Sequence, residues 1–227
     1  LDAHLKNRYD LVNFVNEHNC IDSKFDPNIP IIGFARRFAT YKRGDLIFYD
    51  TNRLLEIAEG KLQFLFAGKA HPKDHGGKNL IHNIINKGNE LKDDLNVGFI
   101  PDYNMAISSV MTAGSDAWMN TPVRPREASG TSGMKAAHNG VPHLSIIDGW
   151  WYEAQPMGGW NIGPEPCDFK LKDITYKEDA HKLYEVLERE VLSEITGISK
   201  LKESIKNASF FNSHRQMDDY MKKVFNL

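Results

Sequence analysis

Asp116-Ala-Trp-Met-Asn120, then Thr121-Pro-Val-Arg-Pro125, then Glu127-Ala-Ser-Gly-Thr-Ser-Gly-Met-Lys135 form one continuous argument about the fold. The first segment reads as a short buried strand and the second as a proline-bounded loop. The third is a turn of small residues opening a helix expected over 134–139. A further apolar strand is expected over 141–147. Strand, crossover helix and strand make the unit of a parallel sheet. Small residues at a strand-to-helix turn leave backbone N–H groups free at a helix start. Anions settle there, most often phosphate. A lysine beside such a turn suits a charge clamp or a Schiff-base amine.

Working outward, the same alternation repeats. Leu5, Tyr9, Val12 and Val15 set a helical rhythm over 3–18, and Pro27 to Pro30 break it. Strands are expected at 31–34, 62–67 and 95–100. Helices are expected over 42–58, 77–86 and 104–112. A loop rich in glycine and tryptophan follows Asp148, through Trp150, Trp151 and Trp160. An amphipathic helix is expected over 176–195 and a polar helical stretch over 199–227. The pattern predicts an α/β fold, a Rossmann-like parallel sheet with helices on both faces. Three parts are expected: a leading helix over 1–20, the phosphate-binding domain over 21–198 and a helical extension over 199–227. Function in such folds gathers at the carboxyl ends of the strands. The basic run Arg36, Arg37, Lys42 and Arg43, the Gly68-Lys-Ala turn, the Pro101-Asp-Tyr turn and the lysine loop all follow strands. They are expected to converge on one edge of the sheet.

Composition narrows the class. The 227 residues are 41% hydrophobic and 26% charged, ordinary for one well-buried core. A net charge of −2 gives no global basic footprint for nucleic acid or membrane. No apolar run is long enough to span a bilayer. Two distant cysteines, Cys20 and Cys167, argue against a disulfide framework and for a reducing, cytoplasmic setting. The chain does not start with methionine, which points to a piece of a longer protein. His71 and His75 lie four apart, but Pro72 interrupts the helix that a metal pair would need, so no metal site is expected.

These motifs, in this order, resemble the α-glucan (glycogen, starch, maltodextrin) phosphorylases. Residues 127–135 resemble that family's pyridoxal-phosphate attachment segment. Residues 33–43 resemble its basic phosphate-binding segment, 66–72 its Gly-Gly-Lys-Ala-x-Pro turn, and 101–104 its Glu-Asn-Tyr segment. The likeness covers most of residues 1–150, and its variants look like the divergent prokaryotic branch. The family more often has His-Glu where Phe38 and Ala39 stand, which leaves any role of that pair open.

The resemblance implies a retaining phosphorolysis of α-1,4-glucan to glucose 1-phosphate with pyridoxal phosphate as cofactor. It implies that Lys135 tethers the cofactor, with Arg36, Thr131, Ser132 and Gly133 at the cofactor phosphate and Tyr103 packed on the cofactor. Arg37 and Lys42 would hold substrate phosphate. Glu127, Ser129 and Gly130 would hold glucose hydroxyls. It further implies a partner domain on the N-terminal side, so this stretch alone is expected to be inactive, and its uncovered face could support a homo-oligomer. Taken without their flanks, Lys135 is as often a surface charge, Glu127 a capping carboxylate and Tyr103 plain packing. Trp150, Trp151 and Trp160 suit a sugar-stacking surface or a core equally well. Two other readings stand beside the first: a nucleotide-sugar glycosyltransferase of the same architecture, which would carry glutamate at 135, and a non-catalytic glucan-binding module.

Overall fold

A computed structural model describes residues 1–154, 157–163 and 176–225. Cys167 and the last two positions of the polar stretch over 199–227 lie outside the described residues. The sheet is built from β1 (Ile31–Ala35), β2 (Gln63–Ala67), β3 (Val97–Ile100), β4 (Ala117–Asn120), β5 (His143–Ile146) and β6 (Gly159–Ile162). Their spatial order is β3-β2-β1-β4-β5-β6, and every neighbouring pair is parallel. The order reverses between β1 and β4, which makes the carboxyl ends of those two strands the natural ligand crevice.

Period-two alternation sorts the strand residues onto two faces. Ile32, Phe34, Phe64, Phe66, Ala117 and Met119 pack on one face, under α2 (Thr51–Ala58), α3 (His75–Leu91) and α7 (Tyr176–Val186). Ile31, Ala35, Leu65, Ala67 and Trp118 pack on the other, under α1 (Asp2–His18), α4 (Met105–Gly114) and α5 (Ser132–His138). Strands covered on both sides read as continuous apolar runs, which is why Ile31–Ala35 and Gln63–Ala67 were legible. A smaller cluster of Ile147, Trp150, Trp151 and Ala154, the last two on α6 (Trp151–Ala154), sits beside α9 (Ile198–Phe210). Ser204 on α9 donates to the Val141 carbonyl at 3.0 Å, and Asn207 donates to the carbonyls of Ala154 and Met157.

The structure departs from the expected elements in three places. The helix expected over 42–58 is two 3-10 turns, Thr40–Lys42 and Leu46–Phe48, and only then α2, capped by Asp50 accepting from the Arg53 N–H at 3.0 Å. Arg43 adopts a left-handed backbone with φ 45°, which no helix continues. Its buried guanidinium is held there by the carbonyls of Thr121 and Pro122 and by Asp179. Second, the tryptophan-rich loop contains the sixth strand, β6. Third, the helix over 176–195 passes through a π turn at Leu187–Val191 before the short α8 (Leu192–Glu194). The C-terminal stretch splits into α9 and α10 (Ser213–Lys223), where Asn212 caps the second helix.

Candidate active site

The crevice grows from two strand ends. β1 delivers Arg36 one residue beyond Ala35, and the chain then runs beside the turn after β2. There the Arg36 N–H donates to the Ala67 carbonyl at 3.2 Å and the Phe38 N–H to Lys69 at 2.9 Å. β4 delivers Asn120 at its carboxyl end, and the loop beyond it carries Glu127. Arg36 Nη1 donates to Asn120 Oδ1 at 3.1 Å, and Nη2 donates to Glu127 Oε2 at 2.7 Å. Lys42 Nζ donates to that same carboxylate oxygen at 2.5 Å. Three sequence-predicted residues, Arg36, Lys42 and Glu127, therefore meet in one buried cluster of two cations and one anion. Burial pushes the Arg36 pKa down, and the Glu127 charge opposes that shift.

A further layer beneath the cluster had not been singled out from sequence. The Asn120 amide donates through Nδ2 to His143 Nε2 at 3.3 Å, so the imidazole accepts and carries its own proton on Nδ1. His143 is wholly buried at the start of β5, and burial, reinforced by the Arg36 charge, drives its pKa down to about 3. It is a neutral acceptor that orients the amide toward Arg36. Asp148, at the end of the strand expected over 141–147, accepts from the Glu127 N–H at 3.0 Å and from the Gly149 N–H at 2.9 Å. It therefore anchors the Glu127 loop, and burial raises its own pKa.

The lysine loop stands next to this layer. α5 begins at Ser132, two residues ahead of the expected start. A Cβ on Gly133 would lie 2.3 Å from His143 Cε1, so only glycine lets the helix pass over the imidazole. The ring cannot yield, because Trp150 and Trp151 flank it at centroid distances of 5.1 and 4.9 Å. Gly133→Ala is expected to cost about 1–3 kcal/mol through overpacking, read as a lower urea midpoint with unchanged slope. Ser132 Oγ and His143 Nδ1 are buried without a hydrogen-bond partner among the described residues. Lys135 is exposed on α5, and Ser129, Gly130 and Thr131 line the loop leading to it.

Other expected residues fall farther out. Arg37 is exposed and forms no ion pair among the described residues. Tyr103 is half-buried after the edge strand β3, against the core beneath α1 and α4, with β2 between its strand and β1. Arg43 belongs to the scaffold described above. Trp150, Trp151 and Trp160 are only 5%, 1% and 2% exposed, which makes them core residues and removes the stacking-surface reading. Among the described residues no group of three or more His, Cys, Asp and Glu is placed to hold a metal ion, and no helix is long and apolar enough to cross a membrane.

A doubly wound parallel sheet with buried charges at its switch point defines an α/β domain of the class that keeps its ligand crevice at the carboxyl ends of the strands. Residues 2–160 match the family described as Carbohydrate phosphorylase, and the chain belongs to that enzyme family. It is 36% identical to a glycogen phosphorylase of Aquifex aeolicus, with 99% of this chain and 36% of the relative aligned. It is 39% identical to a maltodextrin phosphorylase of Thermococcus litoralis, with 99% of this chain and 29% of the relative aligned. A glycogen phosphorylase of Mycobacterium tuberculosis is 40% identical over 75% of the chain and 20% of its own length. The chain thus spans about a third or less of the length of these relatives.

Proposed function

We propose that this chain is the cofactor- and phosphate-binding domain of an α-1,4-glucan phosphorylase, which splits glycogen or maltodextrin with phosphate to release glucose 1-phosphate with retained configuration. The observation that carries the reading is the joining of Arg36, Lys42 and Glu127 at the β1/β4 switch point, in a chain of the carbohydrate phosphorylase family that also carries Lys135 on α5.

The residues present fit pyridoxal phosphate. Ser132 offers a buried hydroxyl that has no hydrogen-bond partner among the described residues, and Lys135 offers an exposed amine on the same helix. Lys135 would tether the group, with Thr131, Ser132, Gly133 and Arg36 about its phosphate and Tyr103 beside the ring. When bound, it supplies a phosphate that exchanges a proton with the substrate phosphate.

The chain's own residues do the rest. Arg37 and Lys42 hold substrate phosphate close to that second anion, and their charge offsets the repulsion between the two. Glu127, Ser129 and Gly130 take glucose hydroxyls and fix the anomeric carbon. Substrate phosphate gives its proton to the glycosidic oxygen as the C1–O bond breaks. A phosphate oxygen then bonds to C1 from the same face.

Incubation with pyridoxal phosphate, borohydride reduction and peptide mapping test the reading. One equivalent of label confined to Lys135 is expected. Label scattered over the surface lysines, or none, contradicts it.

A further inference from the structure

We propose that Glu127 is a charge gate: its carboxylate occupies Lys42, the cation assigned above to the incoming phosphate, together with Arg36 beside it, and glucose hydroxyls draw it away. The inference rests on the reading of this crevice as a sugar and phosphate site.

The geometry is asymmetric in a way that a plain structural ion pair does not need. Both cations meet on one oxygen, Oε2, from Arg36 at 2.7 Å and Lys42 at 2.5 Å. The other oxygen, Oε1, stands toward Gly130, 3.5 Å from where a Cβ on that residue would lie. All three side chains are at most 10% exposed, so the attraction is little screened by solvent. One carboxylate against two cations leaves one positive charge unneutralised, and once Glu127 turns away the two cations together match the charge of a phosphate dianion.

The two cations are not held alike. Arg36 keeps a second anchor, its Nη1 bond to Asn120, so it stays in place if Glu127 turns away. Lys42 makes no other side-chain hydrogen bond among the described residues, and the Tyr41 ring lies 4.6 Å from Nζ to centroid. Lys42 is therefore the cation that Glu127 releases. The Glu127 backbone is pinned by Asp148, so its carboxylate moves by side-chain rotation without dragging the loop. Vicinal hydroxyls are good donors to a carboxylate, whereas phosphate is a pure competitor for its cations. Sugar and phosphate should then bind with positive coupling carried by this one side chain.

Inorganic phosphate titrated into the full chain, followed by calorimetry, tests the gate. Glu127→Gln, verified as folded by circular dichroism, is expected to bind phosphate about tenfold more tightly than the unsubstituted chain, a common size for site-to-site coupling. Lys42→Met in the same background should remove that gain. A residue that only braces the crevice gives the opposite sign, because its loss would scatter the cations. Unchanged or weaker phosphate binding by folded Glu127→Gln overturns the proposal, as does an absence of phosphate binding in both proteins. Should Glu127→Gln not fold, Glu127→Asp carries the test. Its shorter carboxylate cannot hold both cations, and the same direction of change is expected, with no tightening overturning the gate. The Lys135 labelling experiment is scored separately. Label at Lys135 without tighter phosphate binding removes the gate and leaves the cofactor reading standing.

Discussion

Asp179→Ala is expected to destabilise the chain by about 3–5 kcal/mol, the usual cost of removing one partner from a buried ion pair. Asp179 is 2% exposed and serves two guanidiniums at once. Its Oδ2 accepts from Arg43 Nη2 at 2.6 Å and its Oδ1 from Arg124 Nη1 at 2.9 Å. Without it, two buried positive charges face each other uncompensated. The pair also reaches the crevice. Arg43 donates to the carbonyls of Thr121 and Pro122, and Arg124 donates to the carbonyl of Ile162. Asp179 on α7 thus fastens the start of the loop whose far end presents Glu127. For a chain of this size the loss corresponds to a fall in Tm of about 10 °C. Differential scanning calorimetry reads it. A melting temperature within about 2 °C of the unsubstituted chain would show that the carboxylate is dispensable. Asp179→Asn keeps the shape and removes the charge, so it separates packing from electrostatics. It too is expected to be strongly destabilised.

The strands expected at 31–34, 62–67 and 116–120 could be read because burial on both faces makes most of their positions apolar. No other three-dimensional fact was needed. β6 escaped that reading for a local reason. It opens on Gly159, where a Cβ would lie 2.1 Å from the His143 carbonyl oxygen, so close packing requires a residue that looks like a loop former. The 42–58 segment failed in the opposite sense. Its composition suits a helix, but Arg43 must turn left-handed to reach Thr121, Pro122 and Asp179, all distant in sequence. The candidate site divides along the same line. Arg36, Lys42 and Glu127 were visible singly through their motifs, whereas their sharing of one oxygen depends on the order reversal between β1 and β4. Asn120 and His143 belong to no motif. The available hint for Asn120 was a lone polar side chain ending an apolar strand at the crevice. His143 offered no more than a histidine within a mostly apolar run.

That histidine makes stability depend on acid in a direction that can be worked out. In an unfolded chain its pKa is near 6.5, and in the fold burial lowers it to about 3. Between these values the unfolded chain binds a proton that the folded chain does not, so the free energy of unfolding rises with pH across that window. The contribution is fully present above pH 6.5 and is lost as pH falls toward 3. From neutral pH down to about pH 4 it amounts to about 3 kcal/mol. Carboxylates titrate in the same range, so the quantity to measure is the difference from His143→Gln, which can still accept from Asn120 but does not titrate. Urea unfolding at a series of pH values should give a steeper loss on acidification for the unsubstituted chain than for His143→Gln. Parallel profiles would mean that the imidazole takes up a proton in the fold as readily as in the unfolded chain, and is charged in acid. A charged imidazole would have no lone pair for the Asn120 amide, which would then turn its NH₂ end toward Arg36 and lose the acceptor that holds this guanidinium at the crevice. Acid sensitivity and the placement of Arg36 are thus two consequences of one buried, neutral ring.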